Sequence, residues 1–491
     1  MEQLKQLRQQ LNAAMHRRDI STALQVADKI CSYTTATEQD YEMVLSMYSQ
    51  TTHYDNLKSA TKLAIHAFPS NASFYYTYYQ ALRFFRETES AKNALQEAIR
   101  LAPNQAEWQL DLGNWYREHG EFDAAIKVFE RVIKTTPHLY KTYWYLSSIQ
   151  PILNSDALAL LKKMFAQENV NQSDAKTYIG YALFNHYHAQ QAHEKAFHYL
   201  TVAAEHRKSL APFNINKERA DTNALLDIFN KSYIKSNLPA VDLKTDSKPI
   251  FICGLPRSGT TLCEQILSSH SEVTGGDEIF AFSEAVASIV EENNVTSPYP
   301  ALFKELDKGH YHEIAQNYLY RTTYLQNTPL FTDKMLLNYK VVGAILLAFQ
   351  QSKLVFCTRD PMDTLFACYR QILGSGNQYS YCLDQMSDMI VMYHQLLKHW
   401  QKLFPQRVFH LQYEQLVEHP ERTIKALVAS AELDWQTQCL HFYENERPVH
   451  TLSNTQVRKP INKQHVASWK CYQKQLQKYH EKFVEKGLYT F

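Results

Sequence analysis

One stretch of this chain could hold an anion with its backbone. Gly254-Leu255-Pro256-Arg257-Ser258-Gly259-Thr260-Thr261 follows the short apolar run Pro249-Ile250-Phe251-Ile252-Cys253 and precedes a helical pattern through Leu262, Ile266 and Leu267. Strand, glycine turn and helix is the arrangement in which backbone N–H groups and a helix amino terminus converge on phosphate oxygens. The spacing is that of GxxxxGK[ST], but Thr260 stands where the lysine of an ATP-hydrolysing loop would be, so Arg257 is the loop's positive charge. An ordinary strand-to-helix turn has no need of two glycines, an arginine and a Ser/Thr run together. Gly254, Gly259, Gly275 and Gly276 fall within 23 residues of a chain that has only 12 glycines. Such clustering predicts backbone that takes positive φ or approaches a ligand closely.

The elements that must position this loop follow from pattern. From Lys248 onward, short apolar strands alternate with helices, the signature of a parallel sheet with helical crossovers. Ahead of it, Pro69, Pro103 and Pro137 recur every 34 residues, the period of a helix-turn-helix repeat. The unit ending at Pro137 carries Leu112, Gly113, Tyr116, Gly120, Ala125 and Phe129; small residues let two helices approach while aromatics fill the seam. A weaker unit surrounds Leu183, Tyr187, Ala196, Leu200 and Ala203. The expected organisation is a tetratricopeptide-repeat helical domain over 1–212, a linker helix and polar connector over 213–247, and an α/β domain over 248–491. Repeat arrays of this kind serve as peptide-binding grooves or as rigid scaffolds and dimerisation surfaces, and sequence does not choose between them.

Composition bounds the function. With 491 residues, 51 Lys plus Arg against 50 Asp plus Glu and a net charge of +1, the chain has no global field for coating nucleic acid. A mean hydropathy of −0.42 and a longest apolar run of only Val341–Phe349 predict no membrane span. The polar amino terminus reads as lacking a secretion signal, and eight cysteines without a CxxC pair read as reduced thiols, so a cytoplasmic protein is expected. No His/Glu spacing suits a metal, and none is expected. Between Arg447 and Phe491 the local balance is nine Lys/Arg to two Asp/Glu, with Lys470, Lys474, Lys478, Lys482 and Lys486 every fourth residue: a solvated helix face, or a stripe that steers anions.

PRSGTT after a strand resembles the 5′-phosphosulfate loop of PAPS-dependent sulfotransferases. LVFCTRDPMDTLFACYRQ (Leu354 to Gln371) is similar to their 3′-phosphate motif, and FTDKMLLNY (Phe331 to Tyr339) to the DK motif of the tyrosylprotein branch. SEVTGGDEIFAF and SNTQVRKPIN followed by Trp469 extend the match in order over 248–491, and the repeats ahead resemble those of bacterial tetratricopeptide-repeat sulfotransferases. The resemblance implies a helical repeat solenoid followed by a P-loop-like α/β domain with a central parallel sheet. It implies transfer of a sulfuryl group from PAPS to an acceptor hydroxyl, with release of PAP and no metal. A protein tyrosine held by the repeats is the candidate acceptor, and a homodimer is left open. Arg257, Ser258, Gly259, Thr260 and Thr261 would hold the 5′-phosphosulfate, Arg359 the 3′-phosphate, and Tyr413, Ser453 and Arg458 would line and close the nucleotide pocket. Lys334 would stabilise the leaving oxygen, Glu278 would take the acceptor's proton, and Arg257 would also act on the transferred group. Two departures stand out: Ala367 where the family has a serine, and Ser468 where some members have a lysine. Ala367 removes a donor unless Cys368 or a water replaces it. The competing readings are a repeat scaffold whose degenerate transferase half only senses nucleotide, and a nucleotide kinase or ATPase, which Thr260 disfavours.

Overall fold

The computed structural model describes residues 2–489 except 18, 52, 86, 168–173, 240–242, 244, 446, 448–456, 464 and 465. The chain divides into two compact units, Met1–Gln150 and Pro151–Phe491.

The first unit is built from antiparallel helix pairs. Leading helices begin at Glu38, Ala72 and Ala106 and their partners at Tyr54, Thr88 and Phe122, so both series advance by 34 residues. Each pair ends in the same way. Phe68, Ala102 and Thr136 take φ of −133°, −133° and −137°, leaving the helical region just before Pro69, Pro103 and Pro137, whose rings disfavour a helical predecessor. Starts are fixed locally too: Thr37 and Asp40 form a reciprocal capping box, and the Asn71 side chain accepts from the N–H groups of Ser73 and Phe74. Gly113 is needed because a Cβ there would lie 2.5 Å from the Phe129 ring. In the aromatic run, Phe74 and Tyr79 are buried, and Tyr76 stacks on Trp108 while its hydroxyl donates to Asp111 at 2.6 Å.

The second unit holds a five-stranded, all-parallel sheet in the order β2-β3-β1-β4-β5: β1 Lys248–Gly254, β2 Val273–Thr274, β3 Leu330–Asp333, β4 Leu354–Thr358 and β5 Val408–Gln412. β1 pairs with β3 on one side and β4 on the other, and is apolar because both faces are covered. From β1 the chain runs to β2 and β3 on one side and then crosses to β4 and β5 on the other, so the carboxy-terminal edge between β1 and β4 is a topological switch point, where open parallel sheets bind ligands.

The second unit also holds the helix pair Ala175–Ala189 and His193–Leu210, read from the sequence as the weaker repeat. A Cβ on Gly180 would meet Ala203 Cβ at 2.4 Å, so this hairpin too depends on a glycine crossing. It rests on the helix Pro361–Tyr369: the Tyr181 hydroxyl donates to the Tyr369 carbonyl at 3.0 Å, and Phe184 meets Phe366 edge-on. No helix among the described residues is long and apolar enough to cross a membrane.

Candidate active site

Every strand of the sheet leads at its carboxy-terminal end into a residue of the site. Gly254 opens the loop, Thr274 leads to Gly275-Gly276-Asp277-Glu278, Asp333 is followed by Lys334, Thr358 by Arg359, and Gln412 by Tyr413. Parallel pairing therefore gathers at one edge residues that lie up to 159 positions apart in sequence, from Gly254 to Tyr413.

The loop is tight. The Ser258 hydroxyl and backbone N–H both donate to the Leu255 carbonyl, at 2.7 and 3.2 Å. Gly259 has φ +97° and caps the helix Thr260–Leu267, and a Cβ there would sit 3.0 Å from the Tyr413 ring. Arg257 takes φ +68°, a left-handed backbone that costs a non-glycine residue about 1 kcal/mol or more. Ser258, Thr260 and Thr261 are buried, with the amino end of the helix beneath the loop.

Two guanidinium groups converge on this loop. Arg359 donates from Nη1 to the Arg257 carbonyl at 3.4 Å and lies 5.0 Å over the Tyr413 ring. Burial, followed by the positive charge of Arg359, brings Arg257 down to about 10. Like charges held this close favour an anion between them. Arg359 is steadied by Asp363 at 3.6 Å, and Asp363 in turn accepts from Ala467 N–H at 2.6 Å and the Ser468 hydroxyl at 3.2 Å. Ser468 thus ties the carboxy-terminal segment to the arginine's own partner. Cys368 donates its thiol to the Pro256 carbonyl at 3.1 Å, and burial pushes that thiol up to about 12, keeping it a donor. The Cys368 thiol therefore braces the loop and does not take the place of a hydroxyl at Ala367.

The second cluster surrounds Lys334, which is fully buried. Its Nζ donates to Glu278 Oε1 at 3.1 Å and lies 3.9 Å from Asp277 Oδ1 and 4.0 Å from Glu264 Oε2. Burial opposes the ammonium, but Glu278, Glu264 and Asp277 together outweigh it and raise its pKa. The Glu278 side chain is 43% exposed, so a solute can reach it. Gly276 lets this segment cross β3: a Cβ there would fall 1.7 Å from the Thr332 carbonyl oxygen. Asp333 accepts from Tyr318, Met335 N–H and Asn338, and burial pushes its carboxyl up to about 7.

Sequence reasoning missed Glu264 and Arg447. Glu264 is fully buried on the helix that follows the loop, and accepts from Asp277 N–H and the Thr332 hydroxyl, both at 2.7 Å. Arg447 donates to its other oxygen at 3.0 Å. A glutamate placed three residues past a Ser/Thr run, on the face toward the sheet, was the only available signal. Arg458 donates to the Arg447 carbonyl at 3.4 Å, so it sits beside this cluster. Ser453 lies outside the described residues. Two members of the lysine stripe are engaged elsewhere: Lys478 reaches Asp384 at 3.1 Å and Lys482 reaches Asp388 at 2.6 Å. Among the described residues no cluster of His, Cys, Asp and Glu is arranged to hold a metal.

A family model described as "Sulfotransferase family" matches residues 249–437, the span that carries the loop, Lys334, Arg359 and Tyr413. This part of the chain is similar to the sulfotransferase family. An uncharacterized protein of Aquifex aeolicus (strain VF5) is 27% identical over 406 residues, covering 75% of this chain and 51% of that protein. The protein-tyrosine sulfotransferase of Drosophila melanogaster is 25% identical over 45% of this chain and 46% of its own length. Protein-tyrosine sulfotransferase 2 of Gallus gallus is 28% identical over 45% of this chain and 62% of its own. The chain thus spans about half the length of the curated relatives it matches. Among solved structures, the sulfotransferase domain from the curacin biosynthetic pathway aligns at 19% identity over 47% of this chain and 92% of that one, with a TM-score of 0.34. MamA aligns at 19% identity over 41% of this chain and 97% of that one, with a TM-score of 0.27.

Proposed function

We propose that the protein transfers a sulfuryl group from PAPS to an acceptor hydroxyl and releases PAP. The observation that carries this reading is the pairing of two preparations at one sheet edge. One is a glycine loop crossed by two arginines; the other is a buried lysine held 3.1 Å from a reachable glutamate. The cradle suits the nucleotide on chemical grounds. Arg257 with the loop N–H groups offers donors for the phosphosulfate, Arg359 offers a planar fork for the 3′-phosphate, and the half-buried Tyr413 ring lends an apolar wall.

The step balances without a metal. Glu278 takes the acceptor's proton, the acceptor oxygen bonds to sulfur, and the bond from sulfur to the bridging oxygen breaks. The electron pair stays on that oxygen, where the Lys334 ammonium offsets the growing charge, and the proton remains on Glu278. Sulfuryl transfer parallels phosphoryl transfer, in which positioning and charge neutralisation supply most of the rate. A protein tyrosine is the acceptor class we assign, because two of the relatives are named as protein-tyrosine sulfotransferases. The helical repeats are the natural place to hold such a polypeptide.

Calorimetry with PAP, PAPS and ATP, followed by turnover of labelled PAPS with a tyrosine peptide, tests the proposal. PAP binding that greatly exceeds ATP binding, together with label transfer lost in Arg257→Ala, is the expected result. Binding without transfer would establish the nucleotide-sensing scaffold instead, and ATP binding as tight as PAP would overturn both.

A further inference from the structure

Three carboxylates compete for one ammonium in this site. Lys334 Nζ lies 3.1 Å from Glu278, 3.9 Å from Asp277 and 4.0 Å from Glu264. Glu264 and Asp277 are the more buried pair, and a buried carboxylate without a partner draws any nearby cation to itself. Something must satisfy them if the lysine is to serve Glu278 and the leaving oxygen.

Arg447 is built for that task. Its Nη2 donates to Glu264 Oε2 at 3.0 Å and its Nη1 stands 3.6 Å from Asp277 Oδ1, so one planar group spans both acids. Burial opposes the guanidinium, yet Glu264 and Asp277 hold its pKa above the ordinary arginine value. The backbone opposite is shaped to admit it: a Cβ on Gly275 would lie 2.4 Å from Nη1. Arg447 arrives from a segment distant in sequence and is linked through its carbonyl to Arg458.

Building on the sulfuryl-transfer reading, we propose that Arg447 is a positioning residue: it occupies Glu264 and Asp277 and so leaves Lys334 free for Glu278 and the leaving oxygen. Removing it turns the competition around. Lys334 is then pulled toward Glu264, away from the reacting atoms, while the arginines that hold nucleotide are untouched.

The test uses the full chain with Arg447→Gln, Gly275→Ala and the double variant Arg447→Gln/Glu264→Gln. Calorimetric titration with PAP gives affinity and the fraction of folded sites, and steady-state turnover of PAPS gives kcat and KM separately. For Arg447→Gln we expect a stoichiometry near that of the wild type, PAP affinity within about threefold, and kcat lower by about 100-fold, the scale of a displaced catalytic group. Gly275→Ala, which keeps the charge but crowds the guanidinium, should lower kcat in the same direction. Glu264→Gln should recover at least tenfold of the loss in the double variant, because the competing carboxylate is gone. Unchanged kcat in both single variants, or PAP affinity falling in step with kcat, would overturn the role given to Arg447. A wild-type chain that binds PAP without transferring sulfate would instead remove the reaction on which the role rests, and the two failures read differently.

Discussion

On the proposed reading, replacing Lys334 with methionine should separate the chemical step from nucleotide binding. The methionine keeps most of the buried volume and deletes the charge. At an effective dielectric of ~20, a unit pair at the Lys334–Glu278 separation interacts by about 5 kcal/mol, and the exposure of Glu278 reduces that by solvent screening. Glu264 and Asp277 keep Arg447 as their partner, so losing the ammonium costs about 1–3 kcal/mol of folding stability, within a domain's ~5–15 kcal/mol. Thermal unfolding should therefore fall by a few degrees while the protein still folds. Losing the charge that meets the departing oxygen should slow transfer by ~10²–10³-fold. PAP affinity should change by less than threefold, because Arg257, Arg359 and Tyr413 are untouched. The pH dependence of unfolding adds an independent sign. The folded-state pKa of Lys334 is raised above its unfolded value, so its stabilisation is complete below ~10.4 and is lost as pH rises through the folded value. The gap in unfolding temperature between wild type and Lys334→Met should hold from pH 8 to 10 and narrow above that. Single-turnover transfer from labelled PAPS and calorimetry with PAP are the assays. Tenfold weaker PAP binding in the variant would refute the assignment of Lys334 to the chemical step.

Three further perturbations probe the supports of the site. Ala367→Ser adds a hydroxyl on the helix that follows Arg359 and, with Cys368 engaged on Pro256, should on the proposed reading tighten PAP binding by about 1 kcal/mol, roughly fivefold by calorimetry. Gly259→Ala places a Cβ on a φ of +97° and 3.0 Å from Tyr413; a cost of about 1–2 kcal/mol should appear as PAP affinity lowered by about 5- to 30-fold. Tyr181→Phe deletes the hydroxyl that meets the Tyr369 carbonyl and should lower the unfolding temperature by a few degrees, consistent with about 1 kcal/mol, with PAP affinity unchanged.

The parts of this molecule that were legible in sequence are those whose physics is local. A proline every 34 residues ends a helix wherever it stands, and a glycine turn between an apolar strand and a helix needs no distant partner to be recognised. Lys334, Arg359 and Tyr413 were legible through their resemblance to family motifs; each directly follows a strand, and parallel strands bring such positions to the same edge. Arg447 and Glu264 follow no such rule. They are 183 positions apart, their pairing is a side-chain event, and a buried ion pair leaves no period in the sequence. The close approach of Gly275 to that pair gave a trace, since a glycine was noticed there in a glycine-poor chain, but its reason was another residue's guanidinium and not a ligand or a positive φ. The lysine stripe teaches the opposite lesson. Its spacing was real, yet Lys478 and Lys482 turn toward Asp384 and Asp388 on the neighbouring helix Leu383–Leu403, so periodic charge can record packing between helices as readily as a surface that steers substrate.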